Sequence, residues 1–251
     1  MKNLILSIIL FFISVEICNA EIVKYVYDGD TFITTDGKKV RLLNINTSET
    51  AKKNHPSEPY SIKAKKFLEN MILNKDVKLV FDEEKKDKYK RLLAYVYLKD
   101  GTFVNAEMLK QGLAHLYSFP KNVSKYEELK EFENFARSKN LGLWSHERWK
   151  IQDANSTKPI EKFRFDKYQV FEGKVKECRT VKDKVYLNFA DNWRTDFSIQ
   201  IKDSYFEYFK KANINPQNFY CNKKLRIRGI LIPVNGALIS VTHPQQLEVL
   251  K

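Results

Sequence analysis

Residues 22–45 reverse direction twice in quick succession, and this constrains the fold more than any other stretch of the chain. Residues 22–27 (IVKYVY) alternate well enough for a strand, residues 31–35 are β-branched and aromatic, and residues 38–45 read as a third strand. Between the last two stands Asp36-Gly37, a pair that tolerates the positive φ angles of a two-residue hairpin turn. Three strands in meander order follow.

The third strand carries a charge where an apolar residue is expected. Side chains alternate along a strand, so Arg41 would share a face with Leu43 and Ile45, and a guanidinium on an apolar face requires an anionic partner. Three partners are open to it: Glu49, an aspartate upstream, or a bound phosphate. On this stretch alone a structural ion pair and an anion site stand level.

A chain of 251 residues can bury a real core in one or two domains. Lys2 precedes an apolar run over residues 4–13 and a more polar segment closing on Cys18-Asn19-Ala20. This is the pattern of a secretory signal peptide, and ten apolar residues are too few to span a bilayer. A retained anchor would need the run extended through Val15 and Ile17, and Glu16 and Ile17 argue against a lipid-modified Cys18. Residues 1–20 are therefore read as a signal peptide and the chain as exported, periplasmic or secreted, with no membrane span after cleavage. In that compartment Cys178 and Cys221 have one internal pairing available, two free buried thiols being the alternative.

The formal net charge is +13, and it is shared. Residues 21–150 carry 25 Lys+Arg against 19 Asp+Glu, and residues 151–251 carry 18 against 11, so the halves stand at +6 and +7. Such a surface attracts polyanions, for which nucleic acid and an anionic membrane both qualify.

After a loop with His55, Pro56 and Pro59, residues 61–73 have helical spacing, with Ala64, Phe67, Leu68, Met71 and Ile72 on one side. A strand over 77–81, a charged loop over 82–90 and a strand over 92–98 follow. Asp100-Gly101 turns the chain into a helix over 104–111 that Gly112 closes. Ser124 and Glu127 have capping-box spacing ahead of a last helix striped by Leu129, Phe132, Phe135 and Ala136. Residues 21–150 thus read as one domain. Residues 151–160, polar and without period, read as a linker. In a second domain over 161–251, residues 168–178, 185–189, 197–201, 224–232 and 237–241 read as strands and 203–212 as a helix, which suggests a small barrel or sandwich.

Asp28-Gly29-Asp30-Thr31 ends the first strand, and by itself Asp-Gly is only a turn. Asp87-Lys88-Tyr89-Lys90-Arg91 stands at the entrance of the strand over 92–98, and ends of different strands meet at one rim in a closed barrel. These segments join Arg41-Leu42-Leu43 leading to Thr47-Ser48-Glu49-Thr50, Leu93-Ala94-Tyr95-Val96-Tyr97, Val104-Asn105, Gln111-Gly112-Leu113-Ala114 and Leu141-Gly142-Leu143-Trp144. In order and spacing, over about residues 22–149, the set resembles the staphylococcal nuclease (thermonuclease) family. The resemblance implies a mainly β fold with helices (α+β), built as a five-stranded OB-type barrel with three helices. It also implies Ca²⁺-dependent hydrolysis of phosphodiester bonds in DNA and RNA.

Carried over position by position, the resemblance implies that Asp30 is a carboxylate ligand of Ca²⁺ and that Thr47 ligates through its main-chain carbonyl. Glu49 would position or deprotonate the attacking water, and Arg41 and Arg91 would grip the phosphate. The cation and two guanidinium forks would neutralise charge growing on a five-coordinate phosphorus. Lys88, Tyr117 and Phe119 fall near substrate-contacting positions, where a ring stacks on any base; ordinary packing is the plain alternative for the two aromatics. Three departures stand out: Asn46 where the family has a second Ca²⁺-binding aspartate, Ser48 in place of proline, and Lys90 in place of glycine. An amide oxygen still ligates Ca²⁺, but the site loses a charge. A second reading follows, a nuclease-fold protein that binds nucleic acid without cleaving it.

Further on, Tyr186-Leu187-Asn188-Phe189, Asp191-Asn192-Trp193-Arg194, Arg226-Ile227-Arg228-Gly229 and Thr242-His243-Pro244 resemble the C-terminal domain that accompanies thermonuclease-like domains in some bacterial proteins. That implies another small OB-like barrel. Trp193-Arg194 suits single-strand binding or, equally, a core position. His55, His115, His146 and His243 lack partners at metal-ligand spacing, and none is given a role.

Overall fold

The computed structural model describes residues 21–51 and 56–250. The expected signal peptide and His55 lie outside them. β1 (Glu21–Val26), β2 (Thr31–Thr34) and β3 (Lys39–Leu42) form the meander. Then come β4 (Ile45–Thr47), α1 (Ser61–Ile72), β5 (Asp76–Val80), β6 (Leu92–Leu98), α2 (Val104–Lys110), β7 (Ala114–Leu116) and α3 (Tyr126–Ser138). The barrel closes in the order β1-β2-β3-β6-β5, through a parallel β3–β6 pair and an antiparallel β1–β5 pair. Its interior is apolar, with Val23, Phe32, Leu42, Leu68 and Val96 fully buried or nearly so.

The third strand ends earlier than its alternation predicts. Asn44 takes a φ of 56°, a conformation asparagine tolerates, and residues 45–47 leave the barrel to pair with β7. Arg41, Leu43 and Ile45 therefore do not share one continuous strand face. The break is anchored from afar: Asn44 Nδ2 donates to Asn122 O at 2.6 Å, and its Oδ1 accepts from Tyr95 Oη at 2.6 Å. The capping box is also absent. α3 starts from Lys125 without a side-chain cap, and the Ser124 N–H donates to Asp82 Oδ2 at 2.9 Å instead.

The second half forms an eight-stranded curled sheet. It comprises β8 (Gln152–Asp153), β9 (Tyr168–Lys174), β10 (Glu177–Val181), β11 (Lys184–Asn188), β12 (Phe197–Lys202), β13 (Lys224–Ile232), β14 (Ala237–Val241) and β15 (Leu247–Val249), with α4 (Phe206–Lys211) between β12 and β13. The order is β10-β11-β12-β14-β13-β9-β8, with β15 beside β13. The sheet closes over Leu187, Ile199, Ile227 and a stacked Phe171–Phe197 pair 3.9 Å apart. Cys178 and Cys221 are bridged. Part of the stretch read as a linker is sheet edge: β8 pairs in parallel with β9, and the Asn155 side chain bonds both main-chain groups of Lys174 and the Phe189 carbonyl.

Barrel and sheet meet through a buried cluster of Ala136, Leu143, Trp144, Trp149, Tyr168 and Val170. Tyr168 Oη donates to Leu116 O at 2.8 Å, and Tyr126 Oη to Gln245 O at 2.7 Å. Ser118 Oγ lies 2.7 Å from His243 Nε2. Arg228 Nη1 donates to Glu133 Oε2 at 2.6 Å, while Glu133 Oε1 accepts the Leu116 N–H at 2.8 Å. No helix among the described residues is long and apolar enough to cross a membrane.

Candidate active site

Asp30 stands at the mouth of β2 with its carboxylate almost fully buried. Oδ1 accepts from Thr31 Oγ1 at 3.0 Å and pairs with Arg41 Nε at 3.1 Å. Oδ2 accepts both the N–H and the hydroxyl of Thr47, at 2.9 and 3.0 Å. Asp28 Oδ1 in turn accepts the Asp30 N–H at 3.1 Å. Gly29 lets this loop bed against α1 and β4, since a Cβ there would meet Ala64 Cβ at 2.7 Å and Thr47 Cγ2 at 2.8 Å. The Asp-Gly pair is thus more than a turn.

Of the three partners open to Arg41, the upstream aspartate is taken. Its guanidinium also donates Nη1 to Leu42 O at 2.6 Å and Nη2 to Asn46 Oδ1 at 2.8 Å. The parallel register sets Arg41 opposite Leu93, two residues beyond Arg91, so both arginines belong to one rim. Arg91 is the more exposed of the two, and Asp87 ties down one edge of it, Nε to Oδ2 at 2.7 Å. Asp87 Oδ1 also collects the N–H groups of Tyr89 and Arg91. Burial raises the Asp87 carboxyl, but the Arg91 bonds outweigh it and hold the group below the usual carboxylate range. Lys90 adopts a φ of 63° in this turn, which explains why a glycine suits the position. Lys88 is exposed at the tip, its ammonium 5.1 Å from the Tyr89 ring centre.

Glu49 is exposed just beyond β4. Its main chain is pinned to the segment entering α1, with N–H donating to Glu58 Oε2 at 3.0 Å and C=O accepting from Glu58 N at 2.9 Å. Asn46 has a local rationale. His115 Nδ1 lies 3.0 Å from Leu116 O, and a carbonyl only accepts, so the proton sits on Nδ1 and Nε2 is an acceptor. The Asn46 amide suits this: Oδ1 accepts from Arg41, while Nδ2 donates to Thr47 O at 3.2 Å and faces His115 Nε2 at 3.4 Å. An aspartate would set acceptor against acceptor. Burial pushes His115 down to about 4 and keeps it neutral, stacked on Tyr168 at 4.2 Å.

The oxygens gathered here are the carboxylates of Asp28 and Asp30, the Asn46 amide and the Thr47 carbonyl. This all-oxygen set fits a hard cation such as Ca²⁺, which accepts neutral oxygens beside carboxylates. Burial, and then the Asp30 charge, raise Asp28 to about 6, the mark of two carboxylates sharing an enclosed space. Among the described residues no three His, Cys, Asp or Glu side chains group closely enough to hold a metal, so such a site leans on neutral donors. Asp28 and His115 are the participants that sequence reasoning left without a role. The Asp-Gly-Asp spacing carried a signal for the first, and nothing did for the second.

Tyr117 and Phe119 follow β7, with the Tyr117 ring 6.5 Å from that of His115. Their rings meet edge to face at 5.2 Å, and Tyr117 also tilts against Tyr168 at 5.6 Å. Both line a cavity of about 280 Å³ whose far wall, Ile230, Thr242 and His243 among others, comes from the second sheet. Packing against that sheet accounts for part of their surface.

A closed five-stranded barrel with an acidic cluster and two arginines on one rim is an OB-type fold of the nuclease kind. The chain belongs to the staphylococcal nuclease family. The family profile described as "Staphylococcal nuclease homologue" matches residues 39–146. Thermonuclease of Staphylococcus intermedius is 42% identical over 127 residues, covering 49% of this chain and 74% of the relative. Thermonuclease of Staphylococcus hyicus is 36% identical over 124 residues, covering 48% and 73%. The SPbeta prophage-derived endonuclease YokF of Bacillus subtilis is 40% identical over 123 residues, covering 47% of this chain and 41% of its own length.

Proposed function

We propose that this protein is an exported, Ca²⁺-dependent nuclease that hydrolyses phosphodiester bonds in DNA, RNA or both. The observation that carries the reading is the hydrogen-bonded set Asp30, Arg41, Asn46 and Thr47 on the rim that also bears Arg91. Relatives named thermonuclease and endonuclease support it. Asp28, Asp30, Asn46 and Thr47 would hold the cation, which when bound neutralises charge on the scissile phosphate. Arg91 binds a phosphate oxygen through the part of its fork that Asp87 leaves. Arg41, whose Nε, Nη1 and Nη2 are each held by a protein oxygen, presents the edge of its fork to the same phosphate. Glu49 orients the attacking water and takes its proton. The net charge of +13 draws the polyanion in. The Cys178–Cys221 bridge, with the signal-like residues 1–20, supports export.

The test is hydrolysis of single-stranded DNA and RNA with and without Ca²⁺, by the unmodified protein and Glu49→Gln. Cleavage should require Ca²⁺, and Glu49→Gln should lose about 10²–10⁴-fold in kcat. Metal-independent cleavage or an unaffected variant overturns the assignment. Asn46 favours one alternative, binding without turnover, which would appear as salt-sensitive binding with no products.

A further inference from the structure

The second sheet has a pocket unrelated to the barrel rim. β11, β12 and β14 turn Val185, Leu187, Ile199 and Ile239 to the core, and Cys178 of β10 packs against it, so the other faces of these strands form an outer surface. On it lies a concavity of about 350 Å³ lined by Arg179, Tyr186, Asn188, Trp193, Asn235 and Leu238 among others. Among the described residues no aspartate or glutamate lines it, and Glu177, at its edge, is engaged by Asn188 Nδ2 at 3.0 Å.

Trp193 is presented there rather than buried. It is 38% exposed, whereas Trp144 and Trp149 are 8% and 6% exposed. The loop carrying it is tightly held: Asp196, itself buried, accepts the Asn192 N–H at 2.8 Å and the Thr195 hydroxyl at 3.1 Å, and Asn192 Oδ1 accepts the Arg194 N–H at 3.2 Å. Gly236, at φ 81°, brings the β13–β14 turn against this loop, where a Cβ would come within 2.1 Å of Thr195 O. A large ring held out on a rigid loop costs folding stability and is pre-organised for a ligand.

Charge selects the class of ligand. The Arg194 guanidinium lies 4.4 Å from the Trp193 ring centre, and Arg179 is exposed on the outer surface opposite Tyr186. Lys184 and Lys202 stand directly across from each other, a destabilising arrangement that no ion pair relieves among the described residues. An anionic strand would relieve it. Aromatic rings that stack on bases, interleaved with cations spaced along a surface, match single-stranded nucleic acid.

We propose that this outer surface of the second sheet binds single-stranded nucleic acid, one base entering the pocket to stack on Trp193 while Arg179, Arg194, Lys184 and Lys202 take the phosphates. The site is separate from hydrolysis and stands whether or not the barrel cleaves.

The test titrates the full chain, with EDTA present so that nothing is cut, with a twelve-residue oligothymidylate while tryptophan emission is followed. Trp144 and Trp149 emit as well, so the emission change is assigned to Trp193 by its loss in Trp193→Ala. Saturable quenching that weakens with salt is expected. Trp193→Ala should lose about tenfold or more in affinity, and Arg179→Glu should weaken binding and flatten its salt dependence. Hydrolysis of a small nitrophenyl thymidine diester in Ca²⁺ should be the same for Trp193→Ala as for the unmodified protein. Binding that leaves Trp193 emission unchanged, or affinity unaltered in both variants, overturns the proposal and confines nucleic acid to the barrel. Quenching by an acidic peptide in preference to the oligonucleotide would overturn it in favour of a protein partner.

Discussion

Glu133→Gln should destabilise this protein far more than its conservative chemistry suggests. Glu133, on α3, is fully buried, and Arg228, on β13, is 2% exposed; their side chains meet at 2.6 Å across the junction of barrel and sheet. Burial raises the Glu133 carboxyl, but Arg228 and then Arg137 outweigh it and keep the group ionised. The glutamine oxygen can still accept the Leu116 N–H, so what is lost is the charge facing Arg228. Among the described residues Arg228 then keeps Glu248 as its ionic partner, at 3.4 Å. Removing one partner of a buried pair costs about 3–5 kcal/mol, and the residual Glu248 contact places the loss near about 3 kcal/mol. Arg228→Met should cost a similar amount by leaving Glu133 with Arg137, 3.9 Å away. The double variant removes both charges and should recover at least about 2 kcal/mol relative to the sum. Urea denaturation of the four proteins, read by far-UV circular dichroism, measures the cycle. Single losses below about 1 kcal/mol that simply add would refute the reasoning, because that is how a solvated surface pair behaves.

Other outcomes follow from particular contacts. Burial lowers His243 to about 4, below its usual 6.5, so the unfolded chain binds the extra proton between these values. The His243 contribution should be fully present above about pH 6.5 and fall by up to about 3 kcal/mol on acidification toward pH 4, His115 adding a loss of the same sign, and His243→Gln should remove its share from a Tm-against-pH profile. Replacing Cys178 and Cys221 with serine releases a cross-link spanning 43 residues, and the urea midpoint should report a loss of about 4 kcal/mol on the chain-entropy estimate. Asn46→Asp sets a carboxylate against His115 Nε2 and should lower Tm without Ca²⁺, at a cost of about 1–3 kcal/mol, while enlarging the Tm gain on adding Ca²⁺. A Tm gain no larger than that of the unmodified protein would remove Asn46 from the cation site.

What could be read in the sequence were the features with local causes. The meander followed from alternation and Asp36-Gly37, the barrel helices from their spacing, and Arg91 at the entrance of β6 from the motif that contains it. What could not be read depends on partners distant in the chain. Asn44 breaks the third strand because Tyr95 and Asn122 anchor its side chain. The capping box yields because Asp82 takes the Ser124 N–H. Asn46 looked like a lost carboxylate until β4–β7 pairing set it opposite His115. Tyr117 carries both packing and cavity surface because Tyr168, more than fifty residues on, lies against it. For the cysteines, spacing left bridge and free thiols open, and only the approach of Cys178 to Cys221 decides.

β7 is three residues long, yet both halves of the molecule are fastened to it. On one edge it pairs with the strand bearing Asn46 and Thr47; the Leu116 N–H is held by Glu133, and its carbonyl by Tyr168. A fragment ending at residue 146, where the family match ends, would discard Trp149, Tyr168, Arg228 and His243 together. It would leave the Glu133 carboxylate with Arg137, 3.9 Å away, in place of Arg228, and open the back of the proposed cation site to water. Recombinant pieces cut at that boundary should therefore be poor surrogates for the whole chain, less stable and weaker in metal binding than the sequence identity of the barrel alone would lead one to design for.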